Sequence, residues 1–150
     1  MRITQSDEPG TQEKALTIFF CGDVMTGRGI DQVLPHPSDP ELHEPYVRHA
    51  QEYVRLARQQ GRRFPYRVDS PYIWGDATEE WEQRSPDLRV INLETSITTS
   101  DLFWPGKGVH YRMHARNVPV LRTAKIDCCC LAITTSWIGD IPDRKKRWRA

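Results

Sequence analysis

The chain has 150 residues, of which 38% are apolar and 27% are charged, and these values predict a single soluble domain with a core of its own. The formal net charge is only +1, so no overall field favours nucleic acid or a membrane surface as a partner. No apolar run approaches the roughly 20 residues that span a bilayer, and the polar N-terminus has no apolar signal core. We therefore expect a cytoplasmic protein without a membrane span.

The first half of the chain is predicted to contain a strand and a helix. Residues 1–15 are expected to form a disordered lead. Residues 16–21 are a short apolar run rich in β-formers that stops at Gly22, which is typical of a buried strand. Apolar residues then recur at helical spacing, which predicts a helix that has Pro45 in its first turn and ends at Gly61.

The second half is predicted to alternate helices and strands. Asp76 is expected to cap a short helix, and Asn117 is expected to cap another that ends near Lys125. Residues 88–93 and 127–132 are apolar runs that predict two further buried strands. Buried strands interleaved with helices indicate an α/β fold.

Three of the four cysteines are consecutive, at positions 128–130 in the third predicted strand. Adjacent residues of a strand point to opposite faces, so this run does not form a thiolate metal cage. We expect these thiols to be reduced and packed in the interior, in agreement with a cytoplasmic location.

Polar residues directly follow two of the predicted strands and make a candidate metal site. Asp23 follows Gly22 at the end of the first strand, and Asn92 and Glu94 close the second. Ligand sites in α/β sheets gather beyond the carboxyl ends of strands. Two carboxylates and an amide oxygen are hard ligands suited to Mg²⁺ or Mn²⁺. The alternative is that Asp23 only forms a turn or caps a helix.

A second set of residues is a candidate binding site for an anionic substrate. The glycines on either side of Arg28 leave its guanidinium accessible, and arginine binds phosphate or carboxylate through two parallel hydrogen bonds. A polar and aromatic cluster follows a flexible glycine-rich segment later in the chain. The candidate substrate-binding residues are Arg28, Lys107, His110 and Arg112. The alternatives are a surface salt bridge for Arg28 and a hydrated strand edge for the later cluster.

Four separated motifs resemble those of a known family when they are read in order. Residues 17–30 contain the opening Cys-Gly-Asp-Val-Met-Thr-Gly-Arg-Gly motif, and residues 92–96 contain Asn-Leu-Glu-Thr-Ser. Residues 72–76 and 107–114 are also similar to that family. Over residues 16–132 the chain thus resembles the N-terminal part of the CapA family, which is associated with capsule and poly-γ-glutamate synthesis.

The resemblance implies a fold and an activity. The implied fold is a metallophosphatase-like αββα sandwich, of which this chain would form the N-terminal half. Asp23 matches the family's metal-ligand aspartate, and Asn92 and Glu94 match the polar positions of its second motif. A divalent metal, Mn²⁺ or Mg²⁺, would then activate water against an anionic substrate. The alternative is a non-enzymatic accessory module that binds an anionic polymer.

The chain departs from the family pattern after the third predicted strand. The family there carries Asn-Asn-His and then Asp-Trp-Gly, whereas this chain reads Ile133-Thr-Thr-Ser-Trp-Ile-Gly-Asp140. Removal of one adenine from a possible coding sequence of the family text reproduces Ala132 to Asp140 without a gap. We therefore expect residues 133–150 to be a frameshifted tail and the chain to be a truncated, inactive form. The alternative is a genuine variant C-terminus.

Overall fold

The computed structural model describes residues 15–103 and 105–131. The strands are β1 (Ile18–Val24), β2 (Leu88–Leu93), β3 (Ser96–Ile97), β4 (Arg112–Met113) and β5 (Cys128–Cys130). The α-helices are α1 (Arg28–Val33), α2 (Gln51–Gln59), α3 (Ala77–Arg84) and α4 (Pro119–Thr123), and two 3₁₀ helices cover Tyr72–Trp74 and Ala115–Asn117. The predictions for residues 1–14 and for the tail from residue 133, including the frameshift, fall outside the described residues.

The main sheet is parallel and has the strand order β1-β2-β5. In its register, Phe20 of β1 is the partner of Val90 of β2, which is in turn the partner of Cys128 of β5. The prediction that the three apolar runs are neighbouring strands of one sheet is confirmed, and so is the α/β fold class. A separate parallel ladder joins β3 to β4.

The described residues cover only one face of this sheet. Ile91 and Leu93 of β2 pack against Leu121 of α4 on the covered face, and Trp81 of α3 meets Phe19 with 4.9 Å between ring centroids. On the opposite face, Phe20 is 68% exposed. Ile18, Leu88, Cys128 and Cys130 are also exposed there. The prediction of fully buried strands is therefore wrong for this face.

The cysteines show the same difference between the two faces. Cys128 and Cys130 lie on the open face and are exposed, whereas Cys129 is partly buried on the covered face, and all three are free thiols. The expectation that the run packs in the interior is wrong for two of its three members. Burial raises the pKa of the Cys129 thiol.

A second core lies away from the sheet and holds α1 in place. Val33 of α1 and Leu34, which follows the helix, are buried with Val68, Met113 and Val120. The backbone N–H of Val68 donates to the carbonyl of Val33 at 2.8 Å, which fixes the loop after α2 against α1. Helix α1 was not predicted, because its six residues are too few to show a helical period.

The helix predicted from Pro45 begins instead at Gln51. The residues before it pair with the preceding loop: the N–H of Ala50 donates to Pro40 O at 2.7 Å, and that of Leu42 donates to Arg48 O at 2.9 Å. These hydrogen bonds hold an antiparallel turn that competes with the first turns of the helix.

The two predicted caps also differ from the structure. Helix α3 begins after Asp76, as predicted, but the Asp76 side chain makes no capping hydrogen bond. Helix α4 starts at Pro119, and the buried side chain of Asn117 has other partners. Within the described ranges, no helix is long and apolar enough to cross a bilayer.

Candidate functional site

The carboxyl ends of β1 and β2 bring the first candidate residues together. The register of this strand pair is interrupted between Cys21 and Val24, and Asp23 there has a φ of +52°. Aspartate tolerates this left-handed conformation better than most residues with a side chain. The irregularity places the Asp23 carboxylate beside β2.

Asn92 is the direct partner of Asp23. Its Nδ2 donates to Asp23 Oδ1 at 3.1 Å, which commits the amide nitrogen to the carboxylate. The amide oxygen, Asn92 Oδ1, is buried and accepts no hydrogen bond from any described residue. A buried acceptor without a donor costs free energy unless a ligand, an ion or water completes it.

Glu94 directly follows β2, two residues after Asn92. Its backbone N–H donates to Val24 O at 2.9 Å, which ties the end of β2 to the end of β1. The side chain is half-buried. Within residues 15–103 and 105–131, no hydrogen bond joins the Glu94 carboxylate to Asp23 or Asn92.

The donor atoms at this edge fit a hard divalent cation. The Asp23 carboxylate and Asn92 Oδ1 are oxygen ligands of the kind that Mg²⁺ and Mn²⁺ accept. Among the described residues, no group of three or more His, Cys, Asp or Glu side chains is placed to hold a metal ion. The described residues thus place one carboxylate and one amide oxygen at this edge.

Arg28 is engaged inside the protein. Its Nε and Nη2 bind the two carboxylate oxygens of Glu44 at 3.0 and 2.7 Å, and the Glu44 side chain is fully buried. The guanidinium also lies over the ring of Tyr111 at 4.6 Å and that of Tyr53 at 5.2 Å. The positive charge of Arg28 is therefore already paired.

The glycines beside Arg28 serve packing. A Cβ at Gly27 would lie 2.9 Å from the backbone nitrogen of Arg112, and one at Gly29 would lie 2.8 Å from Cβ of Tyr53. These positions let α1 approach β4 and α2 closely. Packing, rather than access to an anion, accounts for the two glycines.

Arg112 also has partners within the chain. Its Nη1 donates to the carboxylate of Asp101 at 2.6 Å and to the carbonyl of Ser100 at 2.7 Å, and its Nη2 donates to the carbonyl of Asp39 at 3.0 Å. The side chain is only 15% exposed. Arg112 thereby joins the loop after α1 to the loop after β3.

Three of the four predicted substrate-binding residues line one cavity of about 160 Å³, namely Arg28, His110 and Arg112. His43 and Phe103 stack at the same cavity with 3.5 Å between ring centroids. Lys107 is not part of that lining. Its Nζ is buried and has no hydrogen-bond partner among the described residues, and burial lowers the pKa of this amine.

Sequence reasoning missed the buried carboxylate of Asp31. It accepts hydrogen bonds from the backbone N–H groups of Ser38 at 2.6 Å and His114 at 2.9 Å, and from Nδ2 of Asn117 at 3.2 Å. These three donors are up to 86 residues away along the chain. No periodic signal in the sequence indicates its burial, because Asp31 lies beside the polar Gln32 in a short segment.

These features define an α/β protein with polar residues gathered beyond the carboxyl ends of two parallel strands, where ligands bind in this fold class. Residues 17–133 match the family described as bacterial capsule synthesis protein PGA_cap. The chain belongs to this family. The resemblance to capsule and poly-γ-glutamate synthesis proteins is thereby confirmed.

Two relatives from Mycobacterium tuberculosis, strains CDC 1551 and H37Rv, are each described as a probable polyglutamine synthesis accessory protein. Each is 47% identical over 117 residues, which cover 78% of this chain and 31% of the relative. The chain thus spans about a third of the length of these relatives. No solved structure gives a significant match.

Proposed function

We propose that this chain contributes a divalent-metal site of the phosphoesterase type to a capsule or polyglutamate synthesis protein. The metal, Mn²⁺ or Mg²⁺, would be held by Asp23 and Asn92, and Glu94 would lie close enough to join them or to bind water in the coordination sphere. The substrate class is an anionic ester or amide. Family membership supports the biological setting, and the geometry of Asp23 and Asn92 supports the metal.

One observation carries this proposal most directly. The Asn92 amide turns its nitrogen to Asp23 and leaves its buried oxygen without a donor among the described residues. In this orientation Asp23 contributes a negative charge and Asn92 a neutral oxygen at the same strand ends. Such a mixed pair suits a hard cation and leaves an orphaned acceptor when no cation is bound.

The chain's own residues have distinct tasks in this proposal. The left-handed backbone at Asp23 aims the carboxylate at β2, and the hydrogen bond from Asn92 fixes its orientation. A bound Mg²⁺ or Mn²⁺ would polarise the substrate oxygen and lower the pKa of a bound water. The ion pairs made by Arg28 and Arg112 would shape the cavity that these arginines line. His110, which lines this cavity, would face the anionic substrate, whereas Lys107, whose Nζ is buried, lies outside the lining.

The open face of the sheet supports the sandwich part of the proposal. Exposed Ile18, Phe20 and Leu88 make an apolar surface on one side of a parallel sheet. Parallel sheets are ordinarily covered on both faces. A metallophosphatase-like sandwich would place its second sheet on this surface.

A second candidate function is a non-enzymatic accessory module that binds an anionic polymer. The description of the two relatives as accessory proteins favours it. In this case, the same polar residues would bind and position the polymer without hydrolysing it.

Calorimetric titration of Mn²⁺ into the chain and into its D23N variant tests the metal site. Asparagine keeps the left-handed backbone and removes the charge. We expect one saturable site in the unmodified chain and binding at least about tenfold weaker in D23N, which corresponds to about 1.4 kcal/mol. Equal binding by both proteins contradicts the proposal. Metal-dependent hydrolysis of a phosphodiester by a repaired, full-length protein favours the enzyme, whereas metal binding without turnover by that protein favours the accessory module.

A further inference from the structure

Positive charge is concentrated in one segment of a nearly neutral chain. Residues 48–67 contain six arginines and a single acid, Glu52, while the whole chain has a net charge of only +1. The arginines are Arg48, Arg55, Arg58, Arg62, Arg63 and Arg67. This segment comprises α2 and the loop that follows it, and none of its arginines belongs to the candidate metal site.

Helix α2, the loop after it and α1 together form an open groove of about 1150 Å³. The polar part of its lining includes Gln51, Arg55, Arg58, Gln59, Tyr66 and Arg67. We call these six residues the arginine groove. The groove is large and open rather than enclosed, which suits an extended chain better than a small molecule.

The guanidinium of Arg58 is preorganised in the arginine groove. It lies over the ring of Tyr66 at 4.1 Å and over that of Phe64 at 5.0 Å, and its Nη2 donates to Pro65 O at 3.4 Å. Within the described parts of the chain, no carboxylate lies at ion-pair distance from Arg58. Stacking fixes the side chain and so reduces the entropy lost when an anion binds.

Arg67 is anchored in a similar way. Its Nη1 donates to the carbonyl of Gln32 in α1 at 2.5 Å, and no described carboxylate pairs with it. Arg55 differs, because both its Nε and its Nη2 bind Glu52. Arg58 and Arg67 are therefore the groove arginines whose charge is not balanced by a described acid.

We propose that the arginine groove binds a polycarboxylate chain. Carboxylates of the ligand pair with Arg58 and Arg67 through the two-pronged geometry that guanidinium offers. Gln51 and Gln59 supply amide donors and acceptors for the ligand backbone between its charges. The nature of the polymer rests on the proposed function, whereas the existence of an anion site rests on the groove alone.

The groove favours a polycarboxylate over nucleic acid. Single-stranded nucleic acid is bound by aromatic rings that stack on bases together with a basic path. Arg58 already lies over the ring of Tyr66, so this ring is engaged and is not free to stack on a base.

Fluorescence anisotropy with fluorescein-labelled poly-L-glutamate tests the proposal. We expect saturable binding that weakens with salt and becomes at least about tenfold weaker in the double variant R58Q/R67Q, because each lost charge-assisted hydrogen bond is worth about that factor. The matched control is R84Q/R122Q, which removes two exposed arginines outside the groove. Equal loss in groove variant and control overturns the proposal.

A second double variant and a nucleic-acid ligand complete the test. R62Q/R63Q removes two exposed charges from the loop beside the groove, and neither side chain has a hydrogen bond or ion pair among the described residues. A partial loss of affinity in this variant supports binding at this face even if R58Q/R67Q melts at a lower temperature. A single-stranded dT oligonucleotide of equal charge that binds more tightly than poly-L-glutamate overturns the choice of ligand. All titrations are run in EDTA, so the result does not depend on the metal site. An unmodified chain that binds poly-L-glutamate but shows no Mn²⁺ binding in the calorimetric titration would contradict the metal proposal alone.

Discussion

The side-chain amide of Asn92 donates a hydrogen bond of 3.1 Å to Asp23 Oδ1 across two neighbouring parallel strands. The two residues are 69 positions apart in the chain, and the parallel register of β1 and β2 brings them to the same edge. The contact fixes both the rotamer of Asp23 and the direction of the Asn92 oxygen.

Replacement of Asp23 by alanine or by asparagine should separate the cost of backbone strain from the loss of the carboxylate charge. In D23A, alanine has to adopt a φ near +52° and the hydrogen bond to Asn92 is lost. We expect the free energy of unfolding to fall by about 1–2 kcal/mol. D23N should remain within about 0.5 kcal/mol of the unmodified chain, because asparagine tolerates this conformation. Urea unfolding measures both variants, and equal destabilisation would argue against backbone strain.

The buried pair of Arg28 and Glu44 should be a strong stability determinant. E44A leaves the partly buried guanidinium without its counter-ion, and we expect the free energy of unfolding to fall by about 3–5 kcal/mol. E80A is the matched control, because Glu80 forms an exposed pair with Arg84. Its removal should cost less than about 1 kcal/mol. Similar losses of unfolding free energy in E44A and E80A, measured by denaturant unfolding, would show that burial does not determine how much an ion pair contributes to stability.

Gly27 should tolerate no side chain. A methyl group there would lie 2.9 Å from backbone atoms of Arg112, which cannot swing away as a side chain can. We expect G27A to lower the free energy of unfolding by about 1–3 kcal/mol. G22A is the control, because nothing lies within 4 Å of a Cβ at that position. A thermal melt of G27A that matches G22A would contradict the close approach of α1 to β4.

Lys107 should give the stability of the protein a distinct pH dependence. Burial lowers its pKa in the folded state below the ordinary value of 10.5. Between the lowered value and 10.5, the unfolded state binds more protons, so the free energy of unfolding rises with pH in that window. K107M should therefore be stabilising at pH 7, and its advantage should shrink as the pH approaches 10.5. Chemical unfolding from pH 7 to 10.5, with K125M as an exposed control, measures the slope. A constant difference across this range would contradict a buried amine.

The strands could be predicted from the sequence because they are short apolar runs bounded by turn residues. The same runs could not show that the described residues leave one face of the sheet open, since Phe20 and Phe19 differ in exposure only through what packs against each side. The position of Asp23 beside Asn92 followed from a general property of parallel sheets. Burial, in contrast, depends on residues far away in the chain.

The candidate anion-binding residues were harder to interpret. Arg28 has the flanking glycines expected of an accessible side chain, but its partner Glu44 lies 16 residues away in an irregular loop that shows no periodic signal. The start of α2 shifted for a related reason, because backbone pairing of Pro40 with Ala50 outweighs the helical spacing of the intervening side chains. Arg58 and Arg67 were overlooked because a net charge averages over the whole chain.

The central claim is that Asp23 and Asn92 together bind a divalent metal, and ¹⁵N NMR with Mn²⁺ tests it most directly. Paramagnetic Mn²⁺ should broaden the side-chain amide of Asn92 and the backbone amide of Asp23 first, and those of Ile18 and Leu88 at the far end of the same strands last. D23N should abolish this gradient, and Mg²⁺ should compete with it. Uniform broadening along both strands, or an unchanged pattern in D23N, would contradict the metal site.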